Sequence, residues 1–222
     1  MKFGSISYLN LLPFQIFLKR YLRDSGLKKG LAYRKNVPSQ INKALHKRQI
    51  DAGFISSIES NKYNCTDLGI IANRAVYSVF VLEGENKSDQ ESASSNRLAK
   101  VLNLQGEVLI GDKALVYYLN GGTGIDLATQ WHKETNLPFV FARLCYTCHG
   151  KTIKKIAKNF SKQPIKIPQY ILKREAQKRG ITPKQLQWYL KHIEYNMTHK
   201  AKKSLRLFLK KSNKLSITSP KS

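Results

Sequence analysis

Acidic side chains are scarce in this sequence: 14 Asp and Glu stand against 39 Lys and Arg, a net charge of +25. Such a balance excludes an acidic, solvating chain and raises the question of nucleic acid. The excess is uneven, however. Residues 1–150 carry 19 basic and 12 acidic side chains (+7), and residues 151–222 carry 20 and 2 (+18). In the basic third the charges alternate with apolar residues at helical spacing, such as Ile153, Ile156, Phe160, Leu186, Leu190 and Ile193. That is the pattern of solvated helix faces. There is no zinc-finger spacing, RNA-recognition signature or clear helix-turn-helix, so nucleic acid is not the expected partner. A positive field that favours an anionic small molecule is.

Long apolar runs are also missing. None approaches the roughly 18 residues that span a bilayer. Lys2 leads straight into strand-like sequence, with neither the apolar stretch nor the small-residue cleavage site of a signal peptide. A cytoplasmic protein without membrane attachment is expected. Cysteine is sparse: Cys65, Cys145 and Cys148. "CYTCH" (145–149) fits a haem-attachment pattern, but it follows a strand-like run and lacks an export signal. A zinc site would need two further ligands, and none shows paired spacing. Three reduced structural cysteines and no metal are expected. "GGTG" (121–124) lacks the Lys-Ser/Thr of a phosphate loop and reads as a turn.

What the sequence does have is alternation of strand and helix signals. Strands are predicted at 2–9, 51–56, 68–83, 107–111 and 137–146. Helices are predicted at 13–24, 38–48, from about Ser95, at 125–135, and from Thr182-Pro183, where Thr caps and Pro takes the first helical position. The final stretch, SNKLSITSPKS, reads as a disordered tail. This is an α/β pattern. The two long strand-like stretches, 68–83 and 137–146, could each cross between lobes, leaving a cleft of the kind that takes small ligands.

Several segments together resemble the chorismate dehydratase family of the futalosine route to menaquinone. They are "SYLNLLPF" near the N-terminus, "IDAGFISSIE" (50–59), "YSVFVL" (77–82), "SASSNRL" (92–98), "IGDKAL" (110–115) and "DLATQWHKETNLPFVFARL" (126–144), in the family's order and spacing. A weaker likeness continues through "ITPKQLQWYLKHIEY". The resemblance implies a two-lobed fold like that of type II periplasmic binding proteins. Lobe 1 would comprise residues 1–78 and 146–222, and lobe 2 residues 79–145, with two crossing hinge strands. The implied reaction is loss of water from chorismate to give 3-[(1-carboxyvinyl)oxy]benzoate, without a cofactor. A sister group that makes 1,4-dihydroxy-6-naphthoate shares the fold and is associated with a His-Glu pair that this sequence lacks. A non-catalytic binder on the same fold is the other alternative. Where the family has an apolar residue and Trp after "PFVFA", this chain has Arg143 and Leu144.

A substrate with two carboxylates and a leaving hydroxyl needs hydrogen-bond donors. Asn10, in the turn between the first strand and helix, is the candidate catalytic residue, since an amide can donate to an anion and accept from a hydroxyl. Ser56 and Ser57 end a strand, Ser78 sits in a crossing stretch, and Ser94 and Ser95 open a helix where free N–H groups suit an anion. With Asp112 and Arg143 these are the expected substrate-binding residues. No histidine or carboxylate stands out as a general base, which leaves the substrate's own side-chain carboxylate as the candidate acceptor for the proton.

Overall fold

The computed structural model describes residues 1–24, 32–162 and 164–218. Two sheets organise the chain. The larger has six strands in the order β2-β1-β3-β8-β4-β9: β1 (Lys2–Ile6), β2 (Ala32–Asn36), β3 (Ala52–Ser56), β4 (Asn64–Ala72), β8 (Phe139–Tyr146) and β9 (Glu194–Asn196). β1 pairs in parallel with β2 and β3, and β8 runs antiparallel between β3 and β4. The smaller sheet, order β6-β5-β7, contains β5 (Val79–Leu82), β6 (Glu107–Ile110) and β7 (Ile125–Asp126). The helices are α1 (Leu12–Asp24), α2 (Pro38–His46), α3 (Ala93–Val101), α4 (Gly111–Leu119), α5 (Leu127–Thr135), α6 (Gly150–Phe160), α7 (Gln169–Gln177), α8 (Pro183–Leu190) and α9 (His199–Thr218).

Local chemistry explains most of these elements. β1 and β3 are buried on both faces, as central parallel strands are. Helix α2 packs on them through Ile41, which a Cβ on either Gly4 or Gly53 would meet at 3.2 Å. Helix α6 buries Ile153, Ile156, Ala157 and Phe160, one apolar stripe at 3–4-residue spacing. Phe160 joins Phe14 and Phe17 edge-on, and Phe14 meets Phe54. Each of these large side chains contributes roughly 1.5–3 kcal/mol by leaving water. Helix α8 starts with a capping box between Thr182 and Gln185 and Pro183 in its first turn.

Four expectations are corrected. The stretch 68–83 is two strands, one in each sheet, with a linker at 73–78 in which Tyr77 takes φ 57°. β8, expected in lobe 2, is bonded into the larger sheet, so the return crossing falls just before it. The polar C-terminal stretch is no loose tail as far as it is described. Helix α9 runs to Thr218, and residues 219–222 lie outside the described residues. It also packs on α5, with Phe208 against Trp131 and Ser204 accepting from the Trp131 Nε1–H at 2.9 Å. Finally, Cys65 and Cys145 are not reduced. They face each other in register on β4 and β8, Cα atoms 3.9 Å apart, and form a disulfide, while Cys148 is free and exposed.

Candidate functional site

The turn after β1 projects toward the space between the two sheets. There the chain forms a small, partly open cavity of about 40 Å³, lined by Tyr8 and Asn10 of that turn, Ser56 at the end of β3, Ser78 and Val79 of the first crossing, Ser92 and Ser95 at the start of α3, and Phe141 and Ala142 of β8, among others. Strands of both sheets contribute. The volume holds a water or two and falls far short of the roughly 300 Å³ at which ligand pockets begin.

Among the described residues lining the cavity, none carries a charge. What they offer is neutral donors. Ser56 is held at both ends by Asn42, whose Nδ2 donates to Ser56 Oγ at 2.9 Å and whose Oδ1 accepts from the Ser56 N–H at 2.9 Å. The Ser56 hydroxyl hydrogen is left to be donated inward. Ser92 caps α3 by accepting from the Ser95 N–H and donates its own hydroxyl to Ser95 Oγ at 2.9 Å, so the Ser95 hydroxyl hydrogen is again left over. Ser78 shares a 2.9 Å hydrogen bond with the buried Tyr189 hydroxyl. The Oδ1 of Asn10 is buried without a partner among the described residues. A buried orphan acceptor is costly, of order 1–3 kcal/mol.

The backbone around Asn10 is tightly held. The Tyr195 hydroxyl donates to the Asn10 carbonyl at 2.5 Å, and the Leu9 N–H donates to Asp112 Oδ1 at 2.8 Å. Tyr8 donates to Glu91. Burial first, then that bond to Glu91, pushes the Tyr8 phenol far above its ordinary value, so it stays protonated. Its ring lies over Gly111, where a Cβ would meet Tyr8 Cζ at 2.6 Å and where φ is +71°, a combination that only glycine meets.

Of the residues singled out from sequence, the structure brings Asn10, Ser56, Ser78 and Ser95 to one cavity. Ser57 and Ser94 lie beside it. They hydrogen-bond each other at 3.0 Å, and Ser94 Oγ also accepts from the Ile58 N–H. Asp112 does not join the lining: both its oxygens are taken, one by Leu9 and one by Arg179. Arg143 does not join either, because its guanidinium turns to the Thr66 carbonyl at 3.2 Å. Sequence reasoning missed Tyr8 and Arg179. Tyr8 lies within the quoted "SYLNLLPF" segment, whereas Arg179 reads locally as one more cation in a basic stretch.

Comparison with known proteins gives a consistent result. A family model described as menaquinone biosynthesis matches residues 1–106 and 92–214. A chorismate dehydratase of Campylobacter jejuni subsp. jejuni serotype O:23/36 (strain 81-176) is 46% identical over 222 residues, covering 98% of this chain and 100% of that one. Among solved structures, a protein from Archaeoglobus fulgidus aligns with a TM-score of 0.67 at 11% identity, covering 97% of each chain. The periplasmic aliphatic sulphonate binding protein of Escherichia coli aligns with a TM-score of 0.58 at 14% identity, over 98% of this chain and 91% of that one. These structural likenesses establish a fold of the periplasmic-binding-protein type.

Proposed function

The chain belongs to the menaquinone-biosynthesis family, and from that premise we propose that it is a chorismate dehydratase, a hydro-lyase that converts chorismate to 3-[(1-carboxyvinyl)oxy]benzoate and water. The observation that carries the mechanism is the uncharged cavity. A site that removes a proton usually presents a titratable base within hydrogen-bond reach. Here the lining is amide, hydroxyl and hydrocarbon, and the one phenol is locked to Glu91 with its proton held.

The base then comes from the substrate. The C3 proton of chorismate is acidified through the ring double bond by the ring carboxylate, and the side-chain carboxylate lies near C3. That carboxylate takes the proton, the C3–H electron pair becomes the C3–C4 double bond, the C4–O bond breaks, and the carboxylic acid so formed returns the proton to the departing hydroxide, leaving water and an aromatic ring. The protein's part is to fix geometry and to stabilise the charge that builds on the ring carboxylate. Ser56 and Ser95 are suited to hold the two carboxylates, and the Asn10 amide is suited to the leaving hydroxyl, its Nδ2–H donating to the departing oxygen. Closure removes water from the reacting centre. No cofactor has a role in this scheme, and the reaction fits a cytoplasmic enzyme. The test is direct. Purified protein and chorismate should yield stoichiometric enol-ether benzoate, followed by liquid chromatography and mass. Binding of chorismate with no product formed would instead support a non-catalytic binder, and would overturn the proposal.

A further inference from the structure

The side chain of Asp112, at the first turn of α4, is spent between the lobes. Its Oδ1 accepts the Leu9 N–H at 2.8 Å, one residue from Asn10, and its Oδ2 accepts from Arg179 Nε at 2.8 Å. Arg179 follows α7 in the other lobe and is itself fully engaged. Nη1 donates to Glu175 Oε2 at 2.7 Å, and Nη2 donates to the Ser7 carbonyl at 3.3 Å. Both side chains are mostly buried, 18% and 19% exposed for Asp112 and Arg179.

Taken residue by residue, the turn that presents Asn10 is anchored at each position. Ser7 is held by Arg179, Tyr8 by Glu91, Leu9 by Asp112, and Asn10 by Tyr195. Glu91 and Asp112 come from lobe 2. The turn therefore has its full set of anchors only when the lobes are together. A single amino acid, Asp112, ties lobe 2 simultaneously to the backbone beside Asn10 and, through Arg179, to the backbone two residues before Leu9.

We infer that Asp112 and Arg179 form a closure clasp, a pair of positioning residues that sets the Asn10 amide in its working geometry only when lobe 2 has shut. The inference rests on the proposed dehydration and deepens it. It assigns to Asp112 a task other than holding substrate, and it gives closure a structural consequence besides excluding water. In the open state the Leu9 N–H loses its acceptor and Asn10 is free to shift. A displacement of about 1 Å at a reacting group can cost roughly a hundredfold in rate.

Two readouts test it. One is independent of activity: amide hydrogen exchange over residues 8–11, in wild type and in Asp112→Ala, with and without 3-[(1-carboxyvinyl)oxy]benzoate. Wild type should gain protection there on adding the product, and Asp112→Ala should not. The other is steady-state kinetics with chorismate. Asp112→Ala should lower kcat by roughly a hundredfold with a smaller change in KM. Asp112→Asn keeps an acceptor for Leu9 and should recover part of the loss. Arg179→Met should lower kcat as well, and the Asp112→Asn/Arg179→Met double variant should be no worse than the poorer single variant, because both act through one contact. Should Asp112→Ala not fold, Asp112→Asn and Arg179→Met carry the same comparison. Wild-type kcat in these variants, additive losses in the double variant, or unchanged protection at residues 8–11 in the folded variants would each overturn the clasp. A wild-type protein inert toward chorismate would overturn the dehydration instead, leaving the exchange experiment to be read with chorismate as the ligand.

Discussion

Replacing Asn10 with Asp is the most informative single change at the cavity. The side chains match in size, and the contact that holds this residue in place, from the Tyr195 hydroxyl, is made to its backbone carbonyl and survives the substitution. The fold should therefore persist, with a lowered melting temperature at neutral pH because the new carboxylate is buried without a cation partner. The chemistry should not. A carboxylate replaces a donor in a cavity with no cation among its described lining residues to neutralise it, facing a dianionic substrate. Two like charges about 4 Å apart repel by about 4 kcal/mol at the effective permittivity typical of protein sites, which is close to a thousandfold in kcat/KM. Protonation of the new Asp at lower pH removes the repulsion, so activity should partly recover below about pH 5. The assay is chorismate consumption by purified protein whose fold has been verified by circular dichroism. If folded Asn10→Asp turns chorismate over within tenfold of wild type, Asn10 does not face the substrate and the assigned role is wrong.

Other substitutions and conditions give independent checks. Ser95→Ala removes a hydroxyl that faces the cavity and should weaken product binding by roughly 1.5–3 kcal/mol. Ser57→Ala removes only the interlobe contact to Ser94 and should cost less, and calorimetry showing the reverse order would move the anion subsite. Solution scattering should show a smaller radius of gyration with product than without it, and equal dimensions would refute opening as the entry route. Under non-reducing, denaturing conditions an alkylating reagent should label Cys148 alone, and three labelled cysteines would refute the Cys65–Cys145 bond. Burial raises the Glu175 carboxyl, but hydrogen bonds from Lys178, Arg179 and Arg174 outweigh this and hold it below its ordinary range. Its stabilising contribution is thus complete above the unfolded value of about 4.3 and lost as pH falls through the lower folded value. Thermal stability should drop below about pH 4 in wild type, and a Glu175→Gln variant with an identical acid limb would show that the carboxylate contributes nothing.

The strand and helix order was legible because it rests on local periodicity and caps. Ser92 before α3 and Thr182-Pro183 before α8 act as their residue types predict. The gathering of Asn10, Ser56, Ser78 and Ser95 followed from where turns and helix starts fall in this kind of fold. What escaped depends on contacts distant in sequence. The stretch 68–83 is largely apolar and β-rich, yet it breaks at 73–78, where the Asp126 carboxylate collects the N–H groups of Val76 and Tyr77 while also capping α5 through Thr129. Nothing near residue 76 announces an acceptor some 50 residues away. β2, AYRKN, has too much charge to read as a strand and is one only because it pairs at the sheet edge beside β1. The Cys65–Cys145 bond depends on the register of two strands separated by 80 residues. Asp112 read as a binding residue because a helix start suits anions, whereas the adjoining lobe had already filled both its oxygens.

The cavity's lack of charge acquires a purpose when set beside the net charge of +25. Arginine and lysine are the ordinary means of holding carboxylates, and this chain has 39 of them, yet none of the described residues lining the cavity is one. A cation paired with the substrate's side-chain carboxylate would favour its charged form and depress its pKa. That would bind the ground state well and spoil the group that must take the C3 proton, a gain in affinity at the expense of rate. Hydroxyl and amide donors fix the same oxygens while lowering their basicity less. Attraction can be left to the exterior: a positive field raises the encounter rate of a dianion, but salt screens it over about 8 Å. The two tasks thus fall to different places on the molecule. On this argument, replacing Ser56 or Ser95 with Lys should tighten chorismate binding and slow its turnover, and a faster enzyme from either change would show that the substrate is not its own base.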